Sequence, residues 1–365
     1  MKRHNRLKKH TLGLAAALLV TAGMSQIALA SDSVYVNTSS LRYRTSAQIK
    51  DNNIAGNLSY GQKLERVGTS GQWTMILLNG KKYYVSSAYV TSKKPASAGA
   101  VQTTSQTAAG AQTSGGTEIA LSSNYKYANY SKINSGTATL YRSTASNKKN
   151  KVVCVNAGHG TNGGGSVKTQ CHPDGTAKVT GGTTGAGATS AVAVSTGMTF
   201  SDGTAESKVT LAMAKVLKDK LLAAGYDVLM IRDGEDVQLD NIARSVIANN
   251  AADCHIALHW DSTTSNKGAF YMSVPDVASY KNMEPVKSHW QQHNALGASL
   301  VEGLKSAGVK IFSGGSMAMD LTQTSYSTVP SVDIELGDKA SDHSQSTLNQ
   351  LGDGLVAGVK AYFGQ

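Results

Sequence analysis

A mainly parallel, twisted α/β sheet with helices on both faces, preceded by a small all-β unit, is the architecture that this sequence predicts. Three observations predict it. From about residue 150, short apolar runs alternate with amphipathic helical stretches, the pattern of a parallel sheet covered on both sides. Residues 31–93 carry only short alternating segments separated by turn pairs. Between them, the stretch 94–130 is dominated by Ala, Ser, Thr, Gly and Gln as far as about residue 123. Such a composition cannot bury enough apolar area to offset its ordering entropy, so it reads as a flexible linker. The expected domains are therefore 31–93 and 131–365.

Residues 1–30 precede both. Lys2, Arg3, Arg6, Lys8 and Lys9 are followed by a largely apolar run from Leu12 to Ala22 and by Ala28-Leu29-Ala30. Basic, apolar and small-residue regions in that order predict a secretory signal peptide, hence export. The apolar run falls short of the ~20 residues that a membrane span needs. The segment holds five basic and no acidic residues, so its removal lowers the net charge from +11 to +6. Cys154, Cys171 and Cys254 are too few and odd in number for a disulfide framework and read as buried thiols.

In the all-β unit the strand candidates are Val34-Tyr35-Val36, Leu64-Glu65-Arg66-Val67, Trp73-Thr74-Met75-Ile76-Leu77 and Tyr83-Tyr84-Val85. Asn79-Gly80 between apolar segments is a strong hairpin signal. Taken with Ser40-Leu41-Arg42-Tyr43-Arg44, Gly71-Gln72-Trp73 and the closing Tyr84-Val85-Ser86-Ser87-Ala88-Tyr89-Val90, this segment resembles a bacterial SH3 domain. The resemblance implies a small barrel and binding to peptidoglycan. Trp73 and the tyrosines, taken singly, read as core fillers.

In the α/β unit, Lys151–Val155 is the first strand and Glu206–Ala224 a helix that stops at Gly225. Strand Val228–Ile231, a helix from Leu239 to about Asn249, and strands Ile256–Leu258 and Gly268–Met272 follow. A long helix over Pro285–Ala307 and a strand over Val332–Leu336 complete the expected set. In such sheets ligands bind at the C-terminal strand ends. There the chain puts His159, in Asn156-Ala157-Gly158-His159-Gly160, and His259, after Ile256-Ala257-Leu258. Glu206 opens a helix and Glu335 lies in the late strand. Two imidazoles and one carboxylate leave a fourth zinc position for water, as catalytic sites do, and Glu335 is placed to handle protons beside it.

The words around these residues resemble the zinc-dependent N-acetylmuramoyl-L-alanine amidases of the type 3 family. The stretches are Asn156–Gly160, Asp202-Gly203-Thr204-Ala205-Glu206, Val228–Asp233, Ile242–Asn249, Ala252–His259 and Val329–Gly337, in the family's order over about residues 150–365. The resemblance implies His159, Glu206 and His259 as Zn2+ ligands and Glu335 as the catalytic glutamate. It also implies hydrolysis of the amide between N-acetylmuramic acid and L-alanine in peptidoglycan. The mild positive charge suits an anionic cell wall better than nucleic acid. A peptide-bond hydrolase of the wall and a non-catalytic wall-binding protein are the alternatives.

The chain departs from the family in four places. More than forty residues rich in Gly, Ser and Thr separate His159 from Glu206, a longer gap than usual, and predict a mobile flap beside the metal. Trp260-Asp261-Ser262 follows His259, and Asp338-Lys339-Ala340-Ser341 follows Gly337. Asp333 stands where the family usually has an apolar residue; strand parity puts it on the face of Glu335, whose pKa it would raise unless a base such as Arg244 or His255 neutralises it, the reading favoured here. His255 reads as core, and His172, inside the insert, is a substitute ligand candidate that ranks below His159 and His259. His289 and His293 read as one helix face, because Trp290 stands where a metalloprotease motif needs Glu. Arg232 and Arg244 read as ties between elements.

Overall fold

The computed structural model describes residues 32–36, 40–48, 53–59, 61–94 and 116–365. The expected signal peptide, and the expected linker from 95 to 115, lie outside them. The chain divides into two units, Met1–Thr107 and Ala108–Gln365. No helix among the described residues is long and apolar enough to cross a membrane.

The first unit is one antiparallel sheet. Its strands are β1 (Asp32–Val36), β2 (Ser40–Arg44), β3 (Ile54–Ser59), β4 (Lys63–Ser70), β5 (Trp73–Leu78), β6 (Lys81–Ser86) and β7 (Val90–Thr91), in the order β3-β2-β6-β5-β4-β1-β7. Asn79 and Gly80 both take positive φ (51° and 74°) and join β5 to β6 with Leu78 paired to Lys81. A two-residue loop of that kind matches the twist of its strands. Alternation buries Val34, Val36, Leu41, Leu58, Leu64, Ile76 and Val85. This core is aliphatic. Tyr43 and Tyr83, half-buried, pack against it as the core-filler reading expects, whereas Trp73 and Tyr84 are half-buried outside that cluster and Tyr89 is exposed.

The second unit is built on a mixed eight-stranded sheet. In chain order its strands are β8 (Thr117–Ala120), β9 (Thr137–Tyr141), β10 (Val152–Ala157), β13 (Asp227–Met230), β14 (Cys254–Asp261), β15 (Ala269–Ser273), β16 (Ile311–Ala318) and β17 (Ser331–Asp338). They are arranged β16-β15-β17-β14-β10-β13-β9-β8. The expected parallel pairing holds in the centre, where β13, β10, β14 and β17 run parallel, and recurs at one edge, where β16 runs parallel to β15. β9 runs antiparallel to β13, β8 to β9, and β15 to β17. The antiparallel edge arises from residues 117–141, and the linker expectation therefore extends too far. Ala138 and Leu140 alternate inward on β9 and hold the hairpin that β8 completes.

Helices cover both faces. α1 (Glu206–Ala223), α4 (Val286–Ser306) and α6 (Gln345–Phe363) pack Leu217, Leu300 and Leu355 against Val153, Val155, Ile256, Val332 and Ile334. α2 (Asn241–Ala251) packs Ala243 and Ile247 against Cys154, Leu229 and Ile231 on the other, and the short α3 (Ala278–Lys281) and α5 (Thr322–Tyr326) complete the helices of this unit. Truncating one such core leucine to alanine costs about 2–5 kcal/mol. With Ile256 and Leu258 of β14 and Val332 and Ile334 of β17 facing α1 and α4, parity turns His255, His259, Asp333 and Glu335 to the opposite face.

Candidate metal centre

A cleft of about 470 Å³ opens over that face at the C-terminal strand ends, lined by His159, Glu206, His259, Asp333 and Glu335 among others. His159 leaves β10 in the left-handed region, φ 64°, which a non-glycine residue adopts only when its surroundings hold it there. Two buried guanidiniums supply that hold. Arg244 donates to the His159 carbonyl at 2.7 Å and to Asn156 Oδ1 at 3.0 Å. Arg232 donates to the carbonyls of Gly158 at 2.9 Å and Ala157 at 3.3 Å. Burial lowers their pKa values to about 9 and about 10, and both stay charged at neutral pH. Gly158 is required by close approach, since a Cβ there would lie 2.3 Å from His259 Cε1.

The three expected ligands converge. His159 Nε2 lies 2.9 Å from Glu206 Oε1, and His259 Nδ1 lies 3.1 Å from both of those atoms. One ligand atom from each residue falls within 4.8 Å of the other two. Burial opposes charge on Glu206, but hydrogen bonds from His159 and His259 prevail and hold its carboxyl well below the usual range. Burial likewise opposes charge on His259, yet Asp333 and Glu206 push it up to about 10. The cluster's two nitrogens and one carboxylate are the donor set of catalytic zinc sites. The residues present therefore fit a zinc ion.

Two of the three converging residues are held by backbone groups. His159 Nδ1 meets the Ser195 carbonyl at 2.8 Å, Glu206 Oε2 accepts from the Met198 amide at 2.8 Å, and Glu206 Oε1 accepts from the Trp260 amide at 3.1 Å. Glu335 pairs in register with His259 across β14 and β17, and its Oε2 is buried without a hydrogen-bond partner. Burial first, and the Asp333 carboxylate second, push the Glu335 pKa well above the ordinary carboxylate value.

Other expectations fall differently. Asp333 shares the face of Glu335, but neither Arg244 nor His255 neutralises it; its nearest ion-pair partner is His259. His255 is a buried core residue bonded to Asn156 and Ser331, and burial, aided by Arg244, lowers its pKa to about 3. His293 accepts from the Ser331 amide at 2.9 Å, and His289 bonds the Pro285 carbonyl. The three cysteines are free and buried.

The insert is a folded wall of the cleft, contrary to the expected mobile flap. It carries the hairpin of β11 (Lys168–Gln170) and β12 (Ser190–Val192). Asp320, fully buried, accepts from His172 at 2.9 Å and from the Val179 amide at 2.8 Å, with Lys178 beside it. Tyr130 and Tyr326 tie the Pro173 and Gln170 carbonyls. Asp320 and Ser195 had no signal in the sequence, because neither lies in a motif or a periodic pattern.

Residues 153–359 match the N-acetylmuramoyl-L-alanine amidase family. No curated protein matches the chain. Among solved structures, similarity is found to the N-acetylmuramyl-L-alanine amidase of Mycobacterium smegmatis (16% identity, 60% of this chain and 99% of that one, TM-score 0.48). The apo form of the enzyme from Mycobacterium abscessus gives 19% identity, 58% and 98% coverage and a TM-score of 0.46. An amidase of Nostoc punctiforme gives 16%, 60%, 99% and 0.42. The family match begins in the first parallel strand, ends in the last helix and takes in all three converging residues and Glu335, and the chain belongs to the N-acetylmuramoyl-L-alanine amidase family.

Proposed function

We propose that this protein is an exported, zinc-dependent hydrolase that cleaves the amide between N-acetylmuramic acid and L-alanine in peptidoglycan. The observation that carries the reading is the convergence of His159, Glu206 and His259 on the face that also holds Glu335, whose Oε2 is buried with no hydrogen-bond partner among the described residues, in a chain of this amidase family. The three converging residues would hold the metal. Zinc bound there supplies Lewis acidity, bringing the pKa of its water toward about 7 and polarising the amide carbonyl.

The rest falls to the chain's own side chains. Glu335 takes a proton from the attacking water as its oxygen joins the carbonyl carbon, then delivers a proton to the departing amine. The C–N bond breaks, a lactyl carboxylate forms, and the stem peptide leaves with a free L-alanine amine. The Arg232 and Arg244 grip on the His159 loop keeps the cluster assembled between turnovers. The N-terminal sheet, with half-buried aromatics ringing its core, acts as an SH3-like wall-binding domain that raises the enzyme's effective concentration at an insoluble substrate.

The test is mass spectrometry of purified walls digested by the full chain, with and without a chelator. Stem peptides that begin at L-alanine, together with peptide-free glycan, are expected, and chelation should abolish both. Cuts confined to peptide bonds would replace this reading with that of a wall peptidase. Full activity of protein shown to be metal-free would overturn it.

A further inference from the structure

His259 turns its Nδ1 toward His159 and Glu206, so its other ring nitrogen, Nε2, points away from the cluster. Among the described residues the polar atom recorded beside that nitrogen is Asp333 Oδ2, at 3.7 Å. Asp333 reaches it from β17, two residues before Glu335 and paired with Ala257, so both carboxylates rise from one strand on one face. Its other oxygen, Oδ1, is buried with no hydrogen-bond partner. The same arrangement recurs at His159, whose rear nitrogen meets the Ser195 carbonyl at 2.8 Å.

We propose that Asp333 is a positioning residue that fixes His259 in the tautomer and ring orientation needed to offer Nδ1 to the metal. A ligating imidazole must present a lone pair on one nitrogen and carry its proton on the other. An outer carboxylate holds that proton, orients the ring and raises its basicity as a ligand. At 3.7 Å the pair lies in ion-pair range, beyond a direct hydrogen bond. The inference rests on the proposed zinc centre, but it concerns a carboxylate that is neither ligand nor proton carrier.

The test uses the full chain, Asp333→Leu, Asp333→Asn, and zinc alone as the probe. Zinc affinity by competition with a chromophoric chelator should fall by about 10–100-fold in Asp333→Leu. The fall should be smaller in Asp333→Asn, whose amide oxygen still accepts from Nε2–H. Ring 15N spectra of the zinc-loaded wild type should show His259 metal-bound at Nδ1 and protonated at Nε2, with that proton exchanging faster in either variant. Should Asp333→Leu fail to fold, Asp333→Asn carries both readouts. Zinc affinity within twofold of wild type in the folded variants, or Nε2 ligation in the wild type, overturns the proposal. A wild type that binds no zinc refutes the metal centre itself, and the positioning role with it.

Discussion

Adding one methyl group at Gly158 tests the close approach on which the cluster depends. An ideal Cβ at this position would lie 2.3 Å from Cε1, 2.5 Å from Nε2 and 2.7 Å from Nδ1 of His259. Carbon atoms in contact prefer about 3.5–4.0 Å, so the ring or the loop must move by roughly 1 Å. The loop cannot easily yield, because Arg232 and Arg244 hold its carbonyls and Thr210 also donates to the Gly158 carbonyl, at 2.8 Å. The ring moves instead, and its Nδ1 leaves the position shared with His159 and Glu206. A misplacement of about 1 Å can cost about 100-fold in rate, and overpacking of this kind costs about 1–3 kcal/mol of stability. Gly158→Ala should therefore lose zinc affinity and at least tenfold in turnover on soluble wall fragments, while the melting temperature drops by only a few degrees. Gly165→Ala, whose added Cβ would meet ordinary contact at 3.7 Å from Thr196, is the control. Wild-type zinc affinity and turnover in Gly158→Ala would refute the argument that His259 is confined by that loop.

His159→Ala should lose the metal, measured by elemental analysis after dialysis. Glu335→Gln should retain it and lose about 100- to 10,000-fold in turnover, the range for a general acid–base group. A chain starting at residue 108 should cleave soluble fragments normally yet sediment less with intact walls; equal sedimentation would remove the wall-binding role from the N-terminal unit. His255 and His293 are buried and neutral with pKa values lowered by burial to about 3, below the 6.5 of the unfolded chain. The unfolded state therefore takes up more protons below pH 6.5. Stability present above pH 6.5 should be lost as pH falls toward 3, by up to about 1.4 kcal/mol per pH unit for each ring. Urea midpoints from pH 7.5 to 5 check this, and an unchanged slope in His293→Gln would exclude that ring as a source.

How far the fold could be read depended on whether a pattern was local. The helices α1, α2 and α4 start and stop within about two residues of their expected bounds, because each carries an apolar stripe and a recognisable end, such as Asp240 capping the Ala243 amide. Helix α6 was not legible. Gly352, Gly354 and Gly358 weaken its helical pattern, yet they sit where neighbouring helices approach closely. A Cβ on Gly358 would lie 2.6 Å from the Leu300 Cα, and one on Gly303 would lie 2.3 Å from the Gly354 carbonyl. Tertiary packing overrides propensity there. β16 was hidden similarly, since Ser313, Gly314 and Gly315 interrupt its apolar run at the sheet edge.

At the cluster, the residues that point inward were legible and those behind them were not. His159, Glu206, His259 and Glu335 sit at element ends, where strand and helix geometry constrains which residue types can converge. Their outer partners obey no spacing rule. Ser195 contributes a carbonyl, which any residue could supply, and what matters is that the insert delivers the backbone to that point. Delivery depends on Asp320, 125 residues further along the chain, which holds His172, Lys178 and the Val179 amide in one buried knot. Breaking a buried ionic knot by removing one partner costs about 3–5 kcal/mol, so the insert is fixed at its middle by that knot and at its end by contact with His159 and Glu206. A segment held in that way transmits its own placement to His159 and Glu206. Its length therefore bears on metal binding as well as on the shape of the cleft, and shortening it would disturb both together.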